Sequence, residues 1–348
     1  MEDWRQSQKV FSRLGWCYIA GTVAVYGLQF ILVCGIRFFR PEWLASMTVI
    51  LLLSGFTMYV CGMPLIVLLA YRMPKTDIPR HKMKWWQFLL ALIMSYSLVY
   101  VSNLVGTLVT TLMGLFTKSS VENELIEYVT GGNMLLNFIL MVVVAPIVEE
   151  YVFRKVIVDR TVRYGQGVAI VASGLMFGLF HGNLNQFAYA VVLGAFFAFL
   201  YVKTGNLKIT IALHAIINFM GSVVAGQLLR MVNYNELKNV DTSDLELMAE
   251  IVMDNLGPWL LYLLYGMVLL VVVIAGVILF IVFFKRFKFD PQPMQIPKGK
   301  RFQMLFLNPG MLTFCALWIV LIILPYATSF LSIFINHWLQ SAGFENRI

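Results

Sequence analysis

Apolar residues run along this chain in long unbroken stretches, without the alternation of a surface helix or a half-buried strand. Nine such runs stand out, at about 14–36, 43–70, 85–116, 134–158, 167–182, 186–202, 209–229, 257–284 and 310–338. A helix of roughly 20 apolar residues crosses about 30 Å of hydrocarbon. The pattern therefore predicts an all-α, polytopic transmembrane bundle of about nine spans. The second run holds Gly62 and Pro64, which predicts a kink, and the short fifth and sixth runs are joined by only a few residues. Three regions follow: N-terminal transmembrane helices over 1–133, a central group over 134–229, and an acidic loop with C-terminal transmembrane helices over 230–348.

Composition agrees with this reading and removes its soluble rivals. Hydrophobic residues make up 60% of the chain and charged residues 13%, about half the charged share of a typical soluble domain. A formal net charge of +8 would suit a nucleic-acid partner, but the basic residues sit at span ends. With the N-terminus in the cytoplasm, all lysines and arginines except Arg37, Arg40, Lys118, Arg230, Lys238 and Arg347 fall on the inside. The two longest outside loops, about 117–133 and 230–256, are acidic. This satisfies the positive-inside rule and predicts a multi-pass cell-membrane protein, with a bacterial inner membrane as the expected location. The first run reads as a retained anchor, since no small-residue cleavage site follows it. The connector 285–301, KRFKFDPQPMQIPKGKR, reads as a basic, solvated, lipid-facing linker. Cys17, Cys34, Cys61 and Cys315 lie inside apolar runs with no CxxC pair and read as small buried hydrophobes.

Ionisable groups inside apolar spans are costly, so each asks for a reason. The fourth run contains VVVAPIVEEYVFRK, with Glu149 and Glu150 adjacent and Arg154 four residues after the second. That spacing puts Glu150 and Arg154 on one helix face in the favourable order. Glu149 points about 100° away, free to face a cavity. Pro146 lacks an amide hydrogen and predicts a local kink. In the fifth run, Gly174, Gly178 and Gly182 form a small-residue stripe that lets another helix come close, and His181 shares a face with Phe177. In the seventh, His214 and Asn218 are four apart and share a face. His81 sits in a basic loop and His337 ends the last run; both read as incidental. Taken singly, each of these features has a packing explanation, but their concentration within about 70 residues does not.

The sequences EEYVFR (149–154), FGLFH (177–181) and HAIIN (214–218) match, in order and spacing, the EExxxR, FxxxH and HxxxN patterns of the CPBP family. These are the CAAX-protease and bacteriocin-processing intramembrane proteases, which include the type II CAAX prenyl proteases. The resemblance covers about 134–220 and nothing outside it. It implies an intramembrane endopeptidase acting on a membrane-associated, in one branch lipidated, peptide or protein. It further implies Glu149 as the general base working with His181 on a water, Glu150 and Arg154 as a supporting pair, and His214 and Asn218 as the groups that bind the oxyanion. The residue chemistry agrees. Amide hydrolysis needs a base beside a water and donors aimed at the carbonyl oxygen. Apolar surroundings make a carboxylate anion a better base.

Several alternatives stay open at this point. Glu149, His181 and His214 have the chemistry of a zinc site, although HExxH is absent; spacing does not choose between zinc-bound and metal-free water. A non-catalytic immunity or scaffold role in the same family is a second reading. A transporter with a Glu/His proton relay is a third, disfavoured because the polar residues crowd into one stretch instead of two repeats. Counted from the end of the fourth run, Glu149 lies about 14 Å deep, whereas His181 falls toward the opposite end of the fifth run. The two must nevertheless meet.

Overall fold

The computed structural model describes residues 4–117, 124–241 and 243–341. Among these the fold is all-helical, with no strand. Nine apolar helices occupy the nine predicted runs: α1 (Gln6–Phe39), α2 (Met47–Ala70), α3 (Trp85–Leu115), α4 (Met134–Tyr164), α5 (Gln166–Phe180), α6 (Leu184–Thr204), α7 (Leu207–Met231), α8 (Leu256–Arg286) and α9 (Pro309–Ser332). Eight are long and apolar enough to cross a membrane. The exception is α5, whose 15 residues reach only about 22 Å. The expected nine spans are therefore corrected to eight and a short helix. The protein is a polytopic membrane protein, and the many exposed branched aliphatic side chains of α8, such as Leu263, Val271 and Ile281, are its lipid-facing surface.

Local chemistry sets the helix starts. The Asn133 side chain caps α4 by accepting from the Leu135 and Leu136 amides at 3.0 and 3.1 Å. Asn183 does the same for α6 at 2.8 Å from Gln186. Between α5 and α6 the chain reverses through Gly182, whose φ of +69° suits glycine. The two helices then pack backbone to backbone. A Cβ on Gly174 would lie 2.7 Å from the Val191 carbonyl oxygen and 2.8 Å from Ala195, and one on Gly178 would lie 2.9 Å from the Val191 nitrogen. Gly174 and Gly178 thus form the predicted contact stripe, while Gly182 serves the turn.

The irregular turns are π-helical. Phe56–Gly62 in α2 precedes Pro64, where the kink was expected. Phe138–Val144 and Glu150–Val156 flank the Pro146 turn of α4, and Phe219–Val224 lies in α7. Side chains from neighbouring helices brace the second turn of α4: Tyr18 Oη donates to the Val152 carbonyl at 2.7 Å and Ser173 Oγ to the Phe153 carbonyl at 2.8 Å. Around these contacts lies the main core, built from Phe11 and Tyr18 of α1, Ile66 of α2, Phe153 and Ile157 of α4, Met176 and Phe180 of α5, and Phe314 and Trp318 of α9.

The segments sorted to one side by charge do meet at one end of the bundle. The Thr76 amide donates to the Asp159 carbonyl at 2.6 Å and the His81 amide to the Thr204 carbonyl at 2.8 Å. The connector after α8 is not the solvated linker predicted from its prolines and charges. Its Met294 and Ile296 amides donate to the carbonyls of Arg163 and Tyr164 at 3.2 and 3.0 Å, both side chains are buried, and Asp290 accepts from Lys203 at 2.7 Å and Gln166 at 3.1 Å. The alternation in PMQIP, masked by the basic flanks, is what docks it. Of the four cysteines, Cys17 is buried as expected, but Cys34 is exposed, on the outer surface of α1. The side chain of His337 lies outside the described residues.

Replacing Gly174 by Ala is expected to destabilise the protein by roughly 1–3 kcal/mol through overpacking. Gly266→Ala on α8, where nothing lies within 4 Å, is expected to leave stability unchanged or slightly raised. Thermal melting in detergent checks both.

Candidate active site

The predicted residues come from three helices, α4, α5 and α7, and the depths of Glu149 and His181 agree. Helix α4 runs to Tyr164, six residues beyond the predicted end, which puts Glu149 15 residues, or about 22 Å, from that end. Helix α5 begins beside Tyr164 and ends at Phe180 after 15 residues, which carries His181 to the same depth. The apparent mismatch arose from ending α4 too early.

Glu150 and Arg154 are fully buried. Arg154 Nη2 stands 3.0 Å from Glu150 Oε1, close enough for an ion pair but not aligned as a hydrogen bond. The guanidinium carbon instead lies over the Phe177 ring, 4.3 Å from its centroid, and 5.8 Å from that of Phe197, so aromatic faces meet much of its charge. Glu150 Oε1 also takes the Nδ1 hydrogen of His214, from α7, at 3.0 Å. A neutral His214 so bonded keeps its lone pair on Nε2, and that nitrogen lies 3.8 Å from Glu149 Oε2. The second Glu149 oxygen, Oε1, accepts a hydrogen bond from Tyr59 Oη of α2 at 2.9 Å.

His181 donates from Nδ1 to the Phe177 carbonyl at 2.8 Å, since a carbonyl only accepts, and its Nε2 is likewise left with the lone pair. Its ring stands edge-on to Phe177 with centroids 4.6 Å apart, and His214 meets the same ring at 6.0 Å. Phe177 is thus the shared wall that gathers Arg154, His181 and His214. Asn218 is held differently. Its Nδ2 donates to the Met141 carbonyl at 2.8 Å. In the π turn Phe138–Val144 the amide five residues after Met141 belongs to Pro146, which has no hydrogen to give; the Asn218 carboxamide fills that vacancy. One of its two amide hydrogens remains for other use. No hydrogen bond among the described residues joins Asn218 to Glu149, His181 or His214.

Beside Glu149 opens a groove of about 580 Å³ between α2, α4 and the start of α7. Its lining is almost wholly apolar, including Met63, Val67, Ile147, Val148, Tyr151 and Ile211, and Tyr59 stands in its wall. Among the described residues no three His, Cys, Asp or Glu side chains come close enough together to hold a metal ion. Glu149, His181 and His214 as placed do not form such a cluster, and no step below passes through a metal. Sequence reasoning missed Tyr59, one hydroxyl among several in an apolar run and 90 residues from its partner, and it missed the Met141 carbonyl that employs Asn218.

A membrane bundle whose central helices carry the EExxxR, FxxxH and HxxxN residues, with Arg154, His181 and His214 against one aromatic ring, has features in common with a CPBP-type core, and comparison with known proteins agrees. Residues 131–220 match the model of type II CAAX prenyl endopeptidases, Rce1-like, so this segment is similar to that family. It is 33% identical over 100 residues to CAAX prenyl protease 2 of Homo sapiens, a match covering 23% of this chain and 30% of that protein. It is 36% identical over 94 residues to the membrane-embedded CAAX protease MroQ of Staphylococcus aureus, covering 25% and 37%. It is 26% identical over 142 residues to the putative membrane peptidase YdiL of Bacillus subtilis, covering 40% and 55%. The chain thus spans about a third to a half of the length of these relatives. No solved structure matches it.

Removing one partner of a buried ion pair strands the other. Arg154→Met is expected to cost about 3–5 kcal/mol, and the double variant Glu150→Leu/Arg154→Met to cost less than the two single changes added together. A double-mutant cycle of melts in detergent checks this.

Proposed function

We propose that this protein is an intramembrane endopeptidase that hydrolyses a membrane-associated peptide or protein with a water activated by Glu149. The observation that carries the reading is the 3.8 Å gap between Glu149 Oε2 and His214 Nε2. It is too long for a direct hydrogen bond and suits a water held by both. In this reading Glu149 takes a proton from that water, with His181 Nε2 helping to hold it. The hydroxide adds to the scissile carbonyl carbon. The proton passes to the amide nitrogen as the C–N bond breaks, leaving an amine and a carboxylic acid that gives up its own proton to Glu149 or solvent to become a carboxylate. In this reading His214 takes up a second proton from solvent on Nε2 before the reaction, and, kept in orientation by Glu150, presents that Nε2–H first to the water oxygen and then to the developing oxyanion. Asn218 adds its second amide hydrogen. Glu150 and Arg154 act through His214 and the Phe177 ring, as positioning groups.

The apolar groove beside Glu149 supports a substrate whose segment near the cut lies in lipid. The names of the human and staphylococcal relatives extend that to a CAAX peptide, with or without a prenyl chain, as a substrate to try. The charge pattern of the loops supports a cytoplasmic N-terminus in a bacterial inner membrane, which cysteine labelling from either side of intact cells tests.

Comparing the peptides released from membranes by the wild-type protein and by Glu149→Gln tests the activity. The variant is expected to cut about 10²–10⁴-fold more slowly. Equal release by both would remove Glu149 as the base, and a cellular phenotype that survives the substitution would favour a binding or immunity role. Because no step is assigned to a metal, EDTA and phenanthroline are expected to leave the rate within about twofold; a loss restored by added zinc would reverse that assignment.

A further inference from the structure

We infer that Tyr59 is a positioning residue for the Glu149 carboxylate, so that the working site extends beyond the family-matching segment into α2. This rests on Glu149 as the base. The geometry is specific. Tyr59 Oη donates to Glu149 Oε1 at 2.9 Å, while Oε2 is the oxygen that faces His214 Nε2 at 3.8 Å. A glutamate carboxylate rotates about its last torsion in a broad, roughly two-fold well. One hydrogen bond on one oxygen removes that freedom and assigns the two oxygens different tasks. Oε1 is tied to α2, and Oε2 stays directed at the water between itself and His214.

Three further observations carry this beyond a satisfied buried hydroxyl. Tyr59 lies in the π turn Phe56–Gly62, an irregular turn of the kind that recurs at functional sites. The turn is braced on its other face by α1, where a Cβ on Gly62 would press into Val25, so α2 holds Tyr59 from a packed position. The ring also forms part of the groove wall next to Met63 and Val148. A substrate segment seated in the groove therefore meets the side chain that aims the base. Finally, α2 lies wholly outside residues 131–220, which match the family model. This contact is supplied by the N-terminal helices of this chain.

The test separates the hydrogen bond from the ring. An internally quenched peptide, built on the cut sequence found in the membrane-peptide comparison above, serves as probe for full-length protein in liposomes. Tyr59→Phe is expected to lower kcat on the order of 10-fold or more, the scale of a misplaced reacting group, with KM within about twofold. Tyr59→Leu, which also removes ring from the groove wall, is expected to raise KM as well. Two unnatural residues at 59 then keep the ring and its para group. p-Aminophenylalanine, which retains an N–H donor, is expected to restore most of kcat. p-Methylphenylalanine, which fills the same space without a donor, is not. Equal rates for the amino and methyl residues, or a Tyr59→Phe enzyme as fast as wild type while Glu149→Gln is inactive, would overturn the inference and leave the base assignment standing. Full activity in Glu149→Gln would overturn both.

Discussion

A guanidinium and a carboxylate sit fully buried in one apolar helix, and the arrangement of the central helices follows from what that pair lacks. Glu150 and Arg154 neutralise each other only in part, because a single Nη2–Oε1 approach of 3.0 Å leaves most of their hydrogen-bonding capacity unmet. Where no water competes, each unmet group is expensive. The bundle answers with an aromatic face from α5 at 4.3 Å and an imidazole from α7 at 3.0 Å. Those two contacts bring His181 and His214 to the flank of Glu149. The supporting pair is thus the reason that residues far apart in sequence share one small volume.

Irregular helix turns supply the fine adjustment. Glu149 is the last residue before one π turn, Asn218 the last before another, and Tyr59 lies inside a third. An added residue in a turn shifts the faces of everything beyond it. It also leaves carbonyl groups for side chains to claim, as Asn218 claims that of Met141. Pro146 and Asn218 therefore act together across 72 residues: the proline withholds a hydrogen, and the asparagine supplies one.

Much of this was readable in the chain. Runs of about 20 apolar residues announced the spans because bilayer thickness leaves helices little latitude. The Glu150–Arg154 pair and the Gly174–Gly178 stripe were readable because their partners are fixed by helix periodicity or by size alone. The three motifs singled out His181 and His214, whose rings both meet that of Phe177. What escaped was everything set by a partner elsewhere. Tyr59 looks like any tyrosine in an apolar run until α2 is laid against α4. The connector 285–301 looks solvated because its charges outnumber Met294 and Ile296, the two side chains that bury. Helix α4 was drawn six residues short because Asp159, Arg160 and Arg163 resemble the end of a span. In fact they are tied down by neighbours: Arg160 bonds the Ala70 carbonyl at 2.8 Å and Lys155 the Asp159 carboxylate at 2.8 Å.

The shortness of α5 has a consequence for the surrounding lipid. A helix of 15 residues falls about 8 Å short of a hydrocarbon layer roughly 30 Å thick. With α5 starting at the membrane edge, the polar turn His181–Gly182–Asn183 falls short of the far edge of that layer, and all three residues are only partly covered by protein. The bilayer then dimples there, or headgroups and solvent are drawn down to the turn. Local thinning of this kind costs more in thick, sterol-like membranes than in thin ones, so acyl-chain length becomes a physical control on how wet this hollow is.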